Sequence, residues 1–436
     1  MNISDIDYTS LINKYQPLII SAADSIWEYG ETAFQEYRSS ALLKSILEEQ
    51  GFTVSSPSSQ LPTAFTARWG NGKPVIGLLG EYDALPGLAQ KADVSSPAPL
   101  DAPAGHGCGH NLLGCGVLAA ALFLKEIMEQ EQLSGTILYL GCPAEENAAG
   151  KAYMIEEGFF DQVDAAFSWH PHYKSGIFNQ ALANHRVYYT FHGTSAHASQ
   201  APHLGRSALD ACELMNIGVN YLREHMMDEA RVHYAYTDAG GTAPNIIPAK
   251  AQLFYAVRAP RGKDARLLRE RVDNIARGAA LMTETSVDIK TACVYDSILS
   301  NPVLDQLVLK YLKLFVPSYT PEEKAYAQKF VPYGNLPDTD LAVDPVPDLS
   351  PSRKTGISTD VGNVSQFLPC SSFMVCCYAS GSPLHHWTVT AQGKSSIAHK
   401  GMFTAGKILS SCVLELLTDP ELLAQAKESF TQAKEK

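Results

Sequence analysis

The chain of 436 residues is too long for one ordinary domain and comfortable for two. With 45% hydrophobic and 18% charged residues and no low-complexity tract, it reads as a folded globular protein able to bury a large core. A formal net charge of −12 speaks against nucleic acid or an anionic membrane as partner, since both recruit basic patches. It does not speak against a small acidic substrate held in a locally positive pocket.

The N-terminal segment MNISDIDYTSLINKY has no basic stretch followed by an apolar one, so no secretory signal is expected. The longest apolar run, Val117–Leu124, is far short of a bilayer span. Nine irregularly spaced cysteines without an export signal point to reduced thiols and a cytoplasmic protein. In chain order, two helices come first. Leu11, Ile12, Tyr15, Leu18 and Ile19 recur at helical spacing, as do Leu42, Leu43, Ile46 and Leu47, and Gly51 closes the second helix.

Short apolar runs then alternate with helical pieces at Val117–Met128 and Ala152–Gly158. The runs are Val75–Gly80 before EYDALPG, Thr136–Cys142 before PAEEN, Ala165–Trp169 before HPH, and Phe373–Tyr378 before ASGSPLHHW. This pattern predicts an α/β domain built on a mostly parallel, buried sheet. The middle third differs. Arg186–Phe191, Ala230–Thr237, Ala251–Arg258 and Ser286–Tyr295 read as strands, with helices at Ser207–His225 and Ala265–Met282. Strand, helix, strand, strand, helix, strand is the order of a ferredoxin-like α+β unit. The expected layout is a sheet domain over 1–184 and 296–436, interrupted by an inserted domain over 185–295.

Open α/β sheets bind ligands at the carboxyl ends of their strands, and metal-ligand residue types cluster there. Asp83 follows the first run; Cys108 and His110 lie in GHGCGHNLLG; Glu145 and Glu146 follow the Thr136 run; His170 and His172 follow Trp169; His385 and His386 follow the last. Each alone has a bland reading: a structural histidine, a cysteine used as a small apolar residue, a solvated pair of acids. Pro143 interrupts the chain before Glu145, however, which disfavours an exposed helix face, and such clusters would converge at one sheet edge. Thiolate, imidazole and carboxylate together suit zinc, with manganese or cobalt as alternatives. So many candidate ligands exceed a mononuclear site and predict two divalent ions sharing a ligand and a water. Of two adjacent glutamates, one can ligate while the other carries the water's proton to a leaving amine. The reaction expected is amide hydrolysis.

The motifs GEYDALPGL, GHGCGHNLLG, PAEEN, SWHPH, FHGTSAHASQAPHLGRSALDA, GGTAPNIIPA, STDVGN and SPLHHW followed by QGKSSIAHKGM span nearly the whole chain. In order and spacing the chain resembles the di-metal peptidase family of aminoacylase, carboxypeptidase G and the plant auxin-conjugate hydrolases. It is most similar to the branch of p-aminobenzoyl-glutamate hydrolase and related dipeptidases. The resemblance implies that Cys108 bridges the ions, that His110, Glu146, His170 and His385 are further ligands, and that Glu145 is the general base. Asp83 would support the metal shell, and Glu81 stands where other branches carry a histidine. His385 and His386 are ambiguous as a pair; the family pattern favours the first. The insert would be a lid and dimerisation domain of a homodimer. From it His197 would hydrogen-bond the substrate carbonyl of the partner subunit, while Asn245 and Arg258 hold a free carboxylate. Read without the resemblance, Asn245 is a turn former and Arg258 a surface arginine. The implied substrate is an N-acyl amino acid or dipeptide of the p-aminobenzoyl-glutamate kind.

A cysteine-nucleophile amidase using Cys108 and His110 is the first rival, but it leaves the two glutamates without a role. A dinucleotide binder lacks the G-x-G-x-x-G spacing. An inactive metal-binding subunit of a hetero-oligomer would be expected to have lost some active-site positions, and Glu145 is present. The acyl group, the amino acid, the native metal and the roles of 90–103 and 317–351 are not legible in the sequence.

Overall fold

The computed structural model describes residues 3–336, 342–348 and 356–435, so that parts of the segment 317–351 lie outside it. The chain forms two compact units. One holds the described residues up to Gln180, from Leu299 to 348 and from Asn363 onward; the other holds Ala181–Ile298 and 356–362.

In the first unit the strands Gly135–Cys142, Val75–Glu81, Ala165–His172 and Cys370–Cys376 lie side by side in that order, all parallel. Antiparallel strands Phe65–Asn71 and Lys174–Ile177 flank them. Val75–Glu81 and Gly135–Cys142 are buried along their whole length, which is why they read as continuous apolar runs and not as alternating ones. The helix that begins at Val117 in the sequence reading starts earlier, at His110, and runs to Gln130. The third strand also runs past Trp169, because its parallel partner pairs His170 with Met374 and His172 with Cys376.

Two helices, His110–Gln130 and Ser396–Thr418, have the length and composition to cross a membrane, but 89% and 78% of their apolar windows are buried within the protein. They pack on each other where side chains are small: a Cβ at Gly406 would stand 2.9 Å from that of Ala119. A Cβ at Gly116 would stand 2.6 Å from the Trp169 ring. All nine cysteines are buried free thiols.

The second unit is a four-stranded antiparallel sheet ordered Arg231–Asp238, Lys250–Ala259, Ala183–His192, Ser286–Tyr295. Helices Ala208–Leu222 and Gly262–Met282 pack on it, and alternate residues of the two inner strands are buried beneath them. This is the ferredoxin-like order. The segment 356–362 was not anticipated as part of it; the Leu182 N–H, at the entry to the first strand, donates to the Ile357 carbonyl at 2.8 Å.

Trp169 is fully buried, and its indole N–H donates to the Leu113 carbonyl at 3.0 Å. Trp169→Ala is expected to lower the chemical denaturation midpoint by the equivalent of about 3–5 kcal/mol. A midpoint unchanged from the parent protein would contradict this packing.

Candidate metal centre

The metal-ligand types sit at the carboxyl ends of the parallel strands, where His170 is still within Ala165–His172, or at the starts of helices and in the loops before them. Cys108 and His110 flank Gly109, whose φ is +83° and where a Cβ would lie 2.0 Å from the Tyr378 hydroxyl. Only glycine fits that turn. Glu145 and Glu146 open a short helical turn bounded by two left-handed alanines, Ala144 at φ 60° and Ala149 at φ 55°. Such conformations cost about 1–3 kcal/mol each away from glycine, so something must hold them. Two buried carboxyls do. Glu36 accepts the Ala144 N–H and Asp83 accepts the Glu146 N–H, both at 2.9 Å. His385 is also left-handed, at φ 59°, and its N–H donates to the Gly107 carbonyl at 2.8 Å.

These turns bring the ligand types together as two triads with a common vertex. Cys108, His110 and His170 form one; Cys108, Glu146 and His385 form the other, and within each triad the potential ligand atoms lie within 4.8 Å of one another. Cys108 Sγ is 3.3 Å from His170 Nε2, and Glu146 Oε2 is 3.3 Å from His385 Nε2. The second histidine of that pair is engaged elsewhere. His386 caps the helix Trp387–Gln392, its Nδ1 2.9 Å from the Thr388 hydroxyl.

The rings are oriented for ligation. His110 Nδ1 is 2.8 Å from Asp83 Oδ1 and His170 Nδ1 is 2.8 Å from the Pro171 carbonyl, so each presents Nε2 to the cluster. His110 Nε2 is buried without a hydrogen-bond partner, 3.3 Å from Glu81 Oε2 and 4.0 Å from Glu146 Oε1. Nε2 set among carboxylates calls for a positive charge between them, either a proton on the ring or a bound cation. The donor set therefore fits divalent ions.

Electrostatics agree. Burial, and then the charge of Glu146, pushes the Cys108 thiol well above its ordinary range. Burial opposes a charge on His110, but Asp83 and, when ionised, Cys108 more than offset it and raise the ring's proton affinity above the usual imidazole value. Burial and the charge of His110 push His170 down to about 4, the neutral form a ligand needs.

The other expected residues lie in the second unit. His197 Nδ1 faces the N–H groups of Ser199 at 3.3 Å and Gln200 at 3.2 Å, so it accepts, and Nε2 carries the proton. Asn245 is joined to this turn, its carbonyl accepting the Ala198 N–H at 2.9 Å. Arg258 is not. It pairs in register with Asn184, whereas Lys250, at the Asn245 end of the same strand, pairs with His192. Eight residues of strand separate these two ends, about 26 Å at 3.3 Å per residue. Arg258 donates to the Ser358 hydroxyl at 2.8 Å and to the Gly356 carbonyl at 3.3 Å. Two residues missing from the sequence reading also enter: Glu36, which holds the glutamate turn, and Lys151, whose ammonium is 2.6 Å from Glu81.

Residues 77–386 match the profile of peptidase family M20/M25/M40. A subunit of the p-aminobenzoyl-glutamate hydrolase of Escherichia coli (strain K12) is 42% identical, over 94% of this chain and 91% of its own length. The Xaa-Arg dipeptidase of Mus musculus is 31% identical, over 93% and 87%. Among solved structures, a dinuclear metal-binding peptidase of the M20 family from Bacillus subtilis aligns with a TM-score of 0.62 at 17% identity, covering 93% of this chain and 99% of its own. The aminobenzoyl-glutamate utilization protein from Klebsiella pneumoniae aligns at 0.61 and 18%, covering 91% and 98%. Both likenesses concern the fold.

Both groups with raised proton affinity, Cys108 and His110, must lose a proton when ions bind. Loading the metal-free protein near neutral pH is therefore expected to release about two protons, and affinity to rise with pH. Release into a weakly buffered indicator measures it; binding without release would contradict the ligand assignment.

Proposed function

The chain belongs to peptidase family M20/M25/M40 and is an amide-bond hydrolase; on that premise we propose that it cleaves the amide of an N-acyl amino acid or dipeptide bearing a free carboxylate, with two divalent ions, zinc or manganese, and Glu145 as general base. The observation that carries this reading is the pair of ligand triads sharing Cys108, with the partnerless His110 Nε2 between carboxylates. Cys108, His110 and His170 would hold one ion and Cys108, Glu146 and His385 the other. Ions so held would acidify a water and polarise the scissile carbonyl.

The protein's own groups do the rest. Asp83 orients His110 and fixes the Glu146 backbone. Glu145, on the same turn, takes the water's proton and delivers it to the leaving amine. His197, with its proton on Nε2, donates to the carbonyl oxygen as charge develops there. Arg258 grips the substrate carboxylate as a fork and Asn245 adds an amide.

Because His197 and Asn245 lie at one end of the inserted sheet and Arg258 at the other, a substrate meeting all three takes them from two copies. A homodimer through the insert follows. The edge strand Arg231–Asp238 exposes Tyr234 and Tyr236, and the helix Ala208–Leu222 exposes Ile217 and Tyr221, an apolar surface suited to a second copy. The E. coli relative points to p-aminobenzoyl-glutamate as substrate and the mouse one to Xaa-Arg dipeptides. Nine free buried thiols suit a reducing, cytoplasmic setting. Two other readings are weaker. A Cys108 nucleophile is disfavoured by burial and a thiol pushed upward. An inactive subunit of a hetero-oligomer would have no use for a full ligand set with Glu145 beside it.

The test is hydrolysis of p-aminobenzoyl-glutamate, Xaa-Arg dipeptides and acyl amino acids, before and after chelation, with zinc or manganese added back. Activity should vanish with the metal and return with it, and Glu145→Gln should lower kcat about 10²–10⁴-fold. Activity that survives verified metal removal would overturn the mechanism and favour Cys108 as nucleophile.

A further inference from the structure

Glu81 and Lys151 play no part in the mechanism above, yet both are buried beside the ligands. Lys151 has no exposed surface and Glu81 is 2% exposed. One oxygen of Glu81 is 2.6 Å from the Lys151 ammonium, and the other is 3.3 Å from His110 Nε2. Two nitrogen or oxygen ligands on one tetrahedral ion, each about 2.1 Å from it, stand about 3.4 Å apart. Glu81 is therefore at the distance of a ligand neighbouring His110, and Glu81, His110 and Glu145 do form a third group able to hold an ion. A fourth protein ligand would close the ion site, whereas a catalytic site of this kind keeps a position open.

We propose that Lys151 is a positioning residue that withholds Glu81 from the ion bound by Cys108, His110 and His170, keeping that ion at three protein ligands. The ammonium occupies one carboxylate oxygen and neutralises the group in a place where water cannot screen either charge. With the ammonium 2.6 Å away and both side chains buried, the carboxylate has its counter-charge fixed in place. Lys151 supplies that charge from the protein side.

The inference rests on the two-ion reading, and its test separates the two. Full-length, metal-stripped protein is titrated with zinc against a chromophoric chelator, for the parent, Lys151→Met and Glu81→Gln/Lys151→Met, alongside kcat on p-aminobenzoyl-glutamate. Lys151→Met removes the ammonium from one Glu81 oxygen and leaves the carboxylate at ligand distance from the ion site. The tighter-binding step should strengthen about tenfold or more, while kcat falls by a similar factor. The double variant removes the anion as well, and zinc affinity should return to within about threefold of the parent. Unchanged or weaker binding in Lys151→Met, or a double variant that stays tight, would overturn the inference. If Lys151→Met can be recovered only with metal bound, slower loss of zinc to the chelator than from the parent supports it, and equal or faster loss overturns it. Absence of any zinc binding by the parent would sink the two-ion reading itself.

Discussion

Cys108 is a buried thiol whose surroundings oppose its ionisation unless positive charge lies beside it. Its sulfur is the vertex shared by both ligand triads. On the proposed reading a thiolate there would be balanced by cations on two sides, and those would draw further ligands from elements far apart in sequence. The parallel sheet meets that need by ending several strands at one edge, so that residues between 81 and 170 and a loop near 385 arrive at the same place.

Holding those loops has a conformational cost. Ala144, Ala149 and His385 are left-handed without being glycine, and Gly109 occupies a turn no other residue could enter. The strain is supported from below. The two core helices are anchored through Gly116, Ala119, Gly406 and Trp169, and the carboxyls of Glu36 and Asp83 take up the N–H groups of the glutamate turn. Glu36 is itself pushed up to about 8, by burial first and by the charge of Asp83 second. A neutral acid there accepts the Ala144 N–H through its carbonyl oxygen without adding another anion beside Asp83.

The fold class and the ligand clusters were legible because each rests on local signals: continuous apolar runs, a proline or glycine where a strand ends, and metal-ligand residues just after it. What was not legible depends on tertiary contact. Glu36 sits at the start of a helix 108 residues before the turn it holds, with no spacing to betray the link. Lys151 looks like any charged residue opening a helix, and only the fold shows that it is fully buried. The third strand's extension through His172 depends on its partner's register, which periodicity does not contain. The sequence left His385 and His386 open; the left-handed backbone of the first and the helix cap formed by the second set them apart. The segment Gln90–Pro103, unreadable in the sequence, is tied down by its own contacts, Gln90 accepting the Ala98 N–H at 2.8 Å and Asp93 accepting the Tyr326 hydroxyl at 2.9 Å.

In the proposed site one sulfur, that of Cys108, serves two ions. Crystals grown with zinc or manganese and measured by anomalous diffraction test it most directly. Two peaks are expected about 3.5–4 Å apart, each about 2.3 Å from Cys108 Sγ if the metal is zinc. A single peak, or two peaks of which only one touches Cys108, would contradict it.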